Sequence, residues 1–339
     1  MKIICIEEHA IDLQILEAAQ PALEREAPYI GLQSSVSRPR LGSRPSAVTM
    51  KEAVELGTDI GEGRIKEMDE HGIQMQVVSW VSPAQLVPAD QAIPLTQAAN
   101  NRLAKAVAAN PNRLSGFAAL PWQDPRAAAA ELDRSVTELG LKGALIPGRP
   151  GDTFLDDPKY APVLQKLNDL RVPLYIHPFN PVPQVQQAYY SGFSPMVSAE
   201  FSLGAWGWHN EAGIHVLRLI LSGAFEKFPN LQVVSGHWGE MVPFYLQRLD
   251  DVMPPMVTGL SGTVSEIYKS HVWVTPSGMF NLPHFEFIHK VIGANRIIWS
   301  VDYPFLTLDG TQDFLERLTV SEDDREMMAY RNAEKLFGL

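Results

Sequence analysis

Eight short runs rich in aliphatic and β-branched residues recur along the chain, most of them followed by longer stretches with helical spacing. No other feature constrains the fold as tightly. The runs cover residues 2–8, 75–81, 114–120, 142–147, 172–177, 232–237, 271–275 and 296–301. Strand and helix in repeated alternation is the pattern of βα units and a parallel sheet. Most runs are apolar nearly throughout, as strands covered on both faces must be. Eight parallel strands close a barrel, so the expected fold is α/β, a (β/α)8 barrel in one domain spanning 1–339, with the first and last runs adjacent. Helices are expected over 96–109, 125–139, 159–170 and 239–251, and a strongly apolar one over 214–225.

Two stretches break the alternation. Residues 10–60 are long, carry weak helical periodicity and are rich in Pro, Ser and Gly over 34–46. Residues 179–199 follow the fifth run directly and read as a long loop. Long loops in compact domains are usually functional covers, so 179–199 is expected to form part of a pocket wall over the C-terminal face of the barrel.

The residues that end the runs carry the chemistry. Glu7 and His9 end the first, His177 the fifth, His237 the sixth and Asp302 follows the eighth. The C-terminal ends of barrel strands form the catalytic face, so polar residues gathered there point to a shared site. Side chains along a strand alternate faces, which puts Glu7 and His9 on one side and Glu8 on the other. Cys5 has the parity of Glu7 and is expected as a buried thiol in the barrel's inner layers. Two imidazoles and two carboxylates, Glu7, His9, His177 and Asp302, make a mixed nitrogen and oxygen donor set suited to Zn²⁺, Mn²⁺ or Fe²⁺. His209 and His215 read as packing or helix-start residues, and His71, His271, His284 and His289 as uninvolved. Trp206, Trp208 and Phe179 read as core or interface residues, and Glu322-Asp-Asp324 as a solvated helix start.

The net charge of −11 argues against nucleic acid or an anionic membrane as partner, since both demand a basic footprint. The single cysteine permits no intrachain disulfide and fits a reducing compartment, and there is no apolar run long enough to span a bilayer. A cytoplasmic protein is expected.

Several motifs in order along the chain carry a family resemblance. They are Glu7-Glu8-His9, Arg64-Ile-Lys-Glu-Met-Asp69-Glu-His-Gly72, Phe117-Ala-Ala-Leu-Pro121-Trp-Gln-Asp124-Pro125 and Leu174-Tyr-Ile-His177-Pro178. Then come Ser235-Gly-His237-Trp-Gly-Glu240, Arg248-Leu-Asp250, Ser300-Val-Asp302-Tyr-Pro304 and Asn332-Ala-Glu-Lys-Leu-Phe337. Together they resemble the amidohydrolase superfamily, in its branch of metal-dependent decarboxylases acting on hydroxybenzoates and related acids. That branch includes the γ-resorcylate, 5-carboxyvanillate and aminocarboxymuconate semialdehyde decarboxylases. The Glu-x-His opening resembles the hydroxybenzoate decarboxylases, where most amidohydrolases have His-x-His. Trp238 stands where these enzymes more often have Met, and 28–60 matches their pattern poorly.

The resemblance implies one divalent transition metal per chain, Zn²⁺ or Mn²⁺, on Glu7, His9, His177 and Asp302. It implies that Asp302, His237 and Glu240 act at the reacting carbon, and that Arg64 and Arg248 contact the substrate's carboxylate or ring oxygens. The implied reaction is non-oxidative loss of CO2 from a small aromatic carboxylic acid, with a proton delivered to the ring carbon, in a homodimer or homotetramer. The residues alone leave two alternatives open. Metal-bound hydroxide in the same site could hydrolyse a lactone, an amide or an activated C–C bond. A silent barrel that only binds a ligand is the other.

Overall fold

The computed structural model describes residues 1–32, 35 and 40–339. Its strands are β1 Ile4–Ala10, β2 Met75–Trp80, β3 Leu114–Phe117, β4 Ala144–Pro147, β5 Leu174–His177, β6 Val233–Ser235 and β7 Val272–Val274. Neighbours pair in parallel along β1-β2-β3 and along β4-β5-β6-β7. Ala118 bridges to Ala144 and joins the two sets. The eighth run forms no regular strand, and Asp302 just beyond it takes a left-handed φ of 74°. It nevertheless lies between β7 and β1. Val274 bridges to Ile297 on one side, and on the other the Ile6 and Asp302 N–H groups donate to the carbonyls of Trp299 (3.1 Å) and Glu7 (3.0 Å). Parallel pairing therefore runs through all eight runs, with the first and last adjacent as expected.

The interior of this ring is a compact apolar plug. Ile4, Ile6, Val77, Phe117, Leu145, Tyr175, Val234, Trp273 and Ile298 form one buried cluster, to which each of the eight runs contributes. Ala333 and Phe337 of the C-terminal helix Asn332–Phe337 join it. Cys5 belongs instead to the larger cluster between strands and helices, which corrects its expected place in the barrel's inner layers. A register shift in β1 between Cys5 and Glu8 is the reason. Ile4 and Ile6 face inward below it, and the extra residue resets the alternation so that Glu7 and His9 also reach the centre. Glu8 is buried on the other side, taking hydrogen bonds from the Val301 N–H (3.0 Å) and the Gln76 amide (3.2 Å).

The helices α1 Leu13–Glu26, α2 Met50–Gly57, α3 Glu62–Glu70, α4 Ala89–Ala109, α5 Pro125–Thr137 and α6 Ala161–Leu170 follow in order. Much of 10–60 is thus helical, against the expectation. Ile15, Ala19 and Leu23 recur at four-residue spacing and bury one face of α1, whose periodicity Pro21 and the surrounding charges disguise. Asp12 caps α1, and Thr49 with Glu52 forms a capping box on α2. The expected Pro/Ser/Gly-rich stretch 34–46 lies partly outside the described residues.

The expected loop 179–199 is also corrected, since it contains short helical turns at Pro183–Val185 and Gln186–Tyr190 and most of the helix Pro195–Ser202. The helix expected over 214–225 is Gly207–Leu221 followed by Ala224–Lys227, and that expected over 239–251 is Val242–Val252. The acidic Glu322–Glu326 is a helix start capped by Ser321, as expected.

Candidate active site

At the C-terminal ends of the strands, four buried side-chain atoms have no hydrogen-bond partner: Glu7 Oε1, His9 Nε2, His177 Nε2 and Asp302 Oδ1. Buried polar atoms are almost always paired, so four orphans converging on one point require an explanation. His9 Nε2 lies 3.2 Å from Asp302 Oδ1, and His177 Nε2 lies 4.0 Å from both Asp302 Oδ1 and Glu7 Oε1. The four residues offer ligand atoms all within 4.8 Å of one another, the spacing at which one cation can touch every one. Two carboxylates facing two imidazoles also make a donor set that a divalent ion would balance.

The opposite atoms of these side chains are held in place. Glu7 Oε2 accepts from the hydroxyls of Thr275 (3.0 Å), Ser300 (3.0 Å) and Ser277, which turns Oε1 toward the centre. His177 Nδ1 donates to the Pro178 carbonyl at 2.8 Å, which turns Nε2 toward the centre, and His9 Nδ1 bonds the Ser79 hydroxyl at 3.0 Å. Such partners fix tautomer and ring orientation in metal sites. Burial, with the neighbouring His177, pulls the His9 pKa down and keeps that ring neutral. Burial pushes the Asp302 carboxyl up, but the neighbouring imidazoles of His177, His237 and His9 overcome this and hold it well below the usual carboxylate range. Gly236 makes room, since a Cβ there would sit 2.8 Å from Glu7 Oε1 and 2.9 Å from Ser277 Oγ.

A second group adjoins the first. β6 ends at Ser235, and His237 opens a left-handed turn rather than closing the strand as expected. His237, Trp238, Gly239, Glu240 and Met241 all have positive φ. Such backbone costs free energy in non-glycine residues and gathers at functional sites. The turn folds His237 back so that its Nδ1 bonds Glu240 Oε1 at 2.7 Å, while Glu240 Oε2 bonds His209 Nδ1 at 2.8 Å. His237 Nε2 stands 3.9 Å from Asp302 Oδ2. A polar chain thus runs from the ligand quartet through His237 and Glu240 to His209. Burial opposes charge on His237, but Glu240 and Asp302 outweigh it and raise its pKa well above the ordinary value.

His209 is a correction to the sequence reading, which treated it as packing. Its only signal was position, near the start of the helix Gly207–Leu221 that faces the left-handed turn. His215, on the same helix, does pack: it is buried and its Nε2 accepts the Leu155 N–H at 3.2 Å.

These groups open into a cavity of about 740 Å³ whose walls include His177, His209, His237, Glu240 and Asp302. Phe179, Trp206 and Trp208 line it too, contrary to their expected place in the core or an interface. From 179–199, only Phe179 reaches the cavity; just beyond that stretch, Glu200, Gly204, Ala205, Trp206, Trp208 and His209 line it. Trp238 is buried away from it, its indole N–H bonded to the Met279 carbonyl. His71, His271, His284 and His289 do not line it, as expected.

Neither arginine stands where the sequence reading put it. Arg64 is 1% exposed, donates to Gln76 Oε1 (3.0 Å) and to the carbonyls of His9 (2.5 Å) and Asp59 (3.1 Å), and stacks on Tyr303. Its donors are committed to holding β1, β2 and α3 together. Arg248 points to solvent from the helix Val242–Val252 and does not line the cavity.

Known proteins match both the sequence and the geometry. A family profile described as Amidohydrolase matches residues 52–339. The γ-resorcylate decarboxylase of a Polaromonas species is 36% identical over 293 residues, covering 83% of this chain and 88% of its own. Among solved structures, the 5-carboxyvanillate decarboxylase of Sphingomonas paucimobilis superposes with a TM-score of 0.87 at 29% identity, over 100% of this chain and 99% of that one. A dihydroxybenzoic acid decarboxylase from Polaromonas, solved with bound manganese and the inhibitor 2-nitroresorcinol, gives 0.83 at 31% identity, over 100% and 97%.

Proposed function

The chain belongs to the amidohydrolase family, in the branch of the γ-resorcylate and 5-carboxyvanillate decarboxylases, and on that premise we propose that it removes CO2 from a hydroxybenzoate-type acid without oxidation. It is a metal-dependent carboxy-lyase. The observation that carries the reading is the arrangement of Asp302, with Oδ1 among the orphaned ligand atoms and Oδ2 toward His237. One carboxylate can then serve both the metal and the proton.

Glu7, His9, His177 and Asp302 would hold one divalent ion per chain. The manganese bound in the Polaromonas relative supports Mn²⁺, and the donor set also suits Zn²⁺. When bound, the ion supplies positive charge that orients the substrate's phenolate and carboxylate oxygens and draws electrons from the ring. The aryl C–CO2 bond breaks with its electron pair left on the ring carbon, and a proton must replace the carboxylate there. The proton held on His237 Nε2 passes through Asp302 to that carbon, while Glu240, braced by His209, holds the His237 ring. CO2 departs and solvent restores the proton.

We take 1–339 as one catalytic domain, which the continuous ring of strand pairing supports. A homodimer or homotetramer is supported by exposed apolar side chains, among them Phe244, Met256 and Val257. The helix Gly207–Leu221 offers less support than its sequence implied, because most of its apolar face is buried within the chain. Among the described residues no helix is long and apolar enough to cross a membrane. We place the protein in the cytoplasm, as its lone buried thiol supports.

The test is turnover of ortho-hydroxybenzoates in D2O by the manganese-loaded enzyme. CO2 should appear, with deuterium at the carbon that lost it. Turnover of a lactone or amide, with no CO2 and no ring deuterium from any acid, would replace this reading with the hydrolase.

A further inference from the structure

We propose that the substrate's ring carries an extended apolar chain, an n-alkyl substituent of several carbons, lodged in an arm of the cavity built by residues 11–54. This deepens the decarboxylase reading and rests on it. A cavity of about 740 Å³ falls within the range of sites that enclose drug-sized ligands, ~300–1,000 Å³. A bare hydroxybenzoate, one ring with a carboxylate and a hydroxyl or two, leaves most of it unfilled. The polar residues that could engage the acid and phenol lie at the strand ends and on the two helices that carry Glu200 and His209. The remaining lining differs in chemistry and in origin.

Ile11, Leu16, Leu23, Ile30, Val48 and Val54 line the cavity from α1, α2 and their flanks. Leu16, Ile30 and Val54 are only half-buried, so they keep apolar surface open to this space. Among the described lining residues there is no Lys or Arg, and Gln20 is the only polar side chain contributed by α1. An anionic substituent placed here would lose its water and meet no cationic side chain. An alkyl chain loses nothing and buries its surface.

Ile11, Leu16, Leu23, Ile30 and Val48 come from the segment between β1 and α2, apart from the strand ends that carry His177 and Asp302. Met50, Met241 and Met279 also line the cavity, and their flexible thioethers can close around chains of different length.

Chain binding away from the reacting carbon should act as uniform binding, lowering KM and raising kcat/KM with little change in kcat. Each buried methylene should raise kcat/KM by about fourfold. The test uses the manganese-loaded enzyme with 2,4-dihydroxybenzoates bearing hydrogen, methyl, propyl or pentyl at carbon 6. In parallel, calorimetry follows binding of the matching 5-alkylresorcinols, which cannot lose CO2. Both series should climb with chain length. Leu16→Trp, or Val54→Phe should the first not fold, should cut the pentyl-to-hydrogen ratio of kcat/KM by at least about tenfold. Turnover that is flat or falls with length, or a ratio unmoved in a folded variant, overturns the arm and leaves the decarboxylase reading standing. Resorcinol affinity that climbs with length while no acid releases CO2 retires the decarboxylase reading and keeps the arm.

Discussion

His215 should make this protein lose stability as pH falls, by an amount that can be worked from its surroundings. The ring is buried in the helix Gly207–Leu221, its Nε2 accepting the Leu155 N–H at 3.2 Å. Burial pulls its pKa down from 6.5 to about 3, and Arg149 and Arg218 add to that against the opposing pull of Asp156. Protonating Nε2 would also set a new N–H against the Leu155 donor. The fold therefore keeps the imidazole neutral, while the unfolded chain takes up a proton below about pH 6.5. Between those two values the unfolded state binds more protons, so stability falls with pH through that window and is unaffected above it. Linkage gives a loss of about 2 kcal/mol between about pH 7.5 and pH 5, and about 4 kcal/mol once pH reaches about 3.

The perturbation is His215→Gln, which can still accept the Leu155 N–H through its amide oxygen but has no proton to gain. Urea unfolding of both proteins with metal chelated, at about pH 7.5 and pH 5, isolates His215 because every other titrating group is common to the two. The wild type should lose about 2 kcal/mol more than the variant across that interval. Equal losses would refute the reasoning. The same helix carries His209 to Glu240, so the loss should spread to the catalytic end.

His177→Ala should fold but lose most of its bound metal, which elemental analysis of the purified protein measures; full occupancy would remove His177 from the ligand set. Ser277→Ala takes away one of three hydroxyls on Glu7 Oε2 and should weaken Mn²⁺ binding roughly 10–100-fold in a competition titration, since partners behind a ligand matter to that extent. Asp302→Asn and His237→Asn should each reduce decarboxylation by about 10²–10⁴ or more in steady-state assays, with His237→Asn keeping its metal. Gly236→Ala would bring a Cβ to 2.8 Å from Glu7 Oε1 and Tyr175 Oη. It should lower metal occupancy and thermal stability together, at about 1–3 kcal/mol.

The candidate ligand quartet was legible in the chain because each member sits at or just past a strand end, and parallel strands in a barrel deliver those ends to one face. Order along the chain and the character of each run were enough for Glu7, His9, His177 and Asp302. The same reasoning failed for Arg64 and Arg248. They occupy helices, and whether a helix residue faces the cavity, the core or water depends on how that helix packs. Arg64 fits the space between α3, β1 and β2, where its donors meet carbonyls no sequence motif marks. Cys5 failed for a related reason. A one-residue register shift reverses every side chain beyond it, and nothing in Ile-Cys-Ile-Glu-Glu-His announces the shift.

His209 joined the site because the left-handed turn at 237–241 swings Glu240 back toward the helix Gly207–Leu221. That partnership spans 31 residues. The apolar wall of 11–54 was likewise hidden, since apolar residues in a helix look the same whether they face a core or a cavity. Local sequence determines which segments become strands and what chemistry ends them, because hydrophobic period and residue type act over a few neighbours. Which side chains then meet was decided by the tertiary structure alone, because register, helix packing and left-handed turns are set by contacts between segments far apart in the chain.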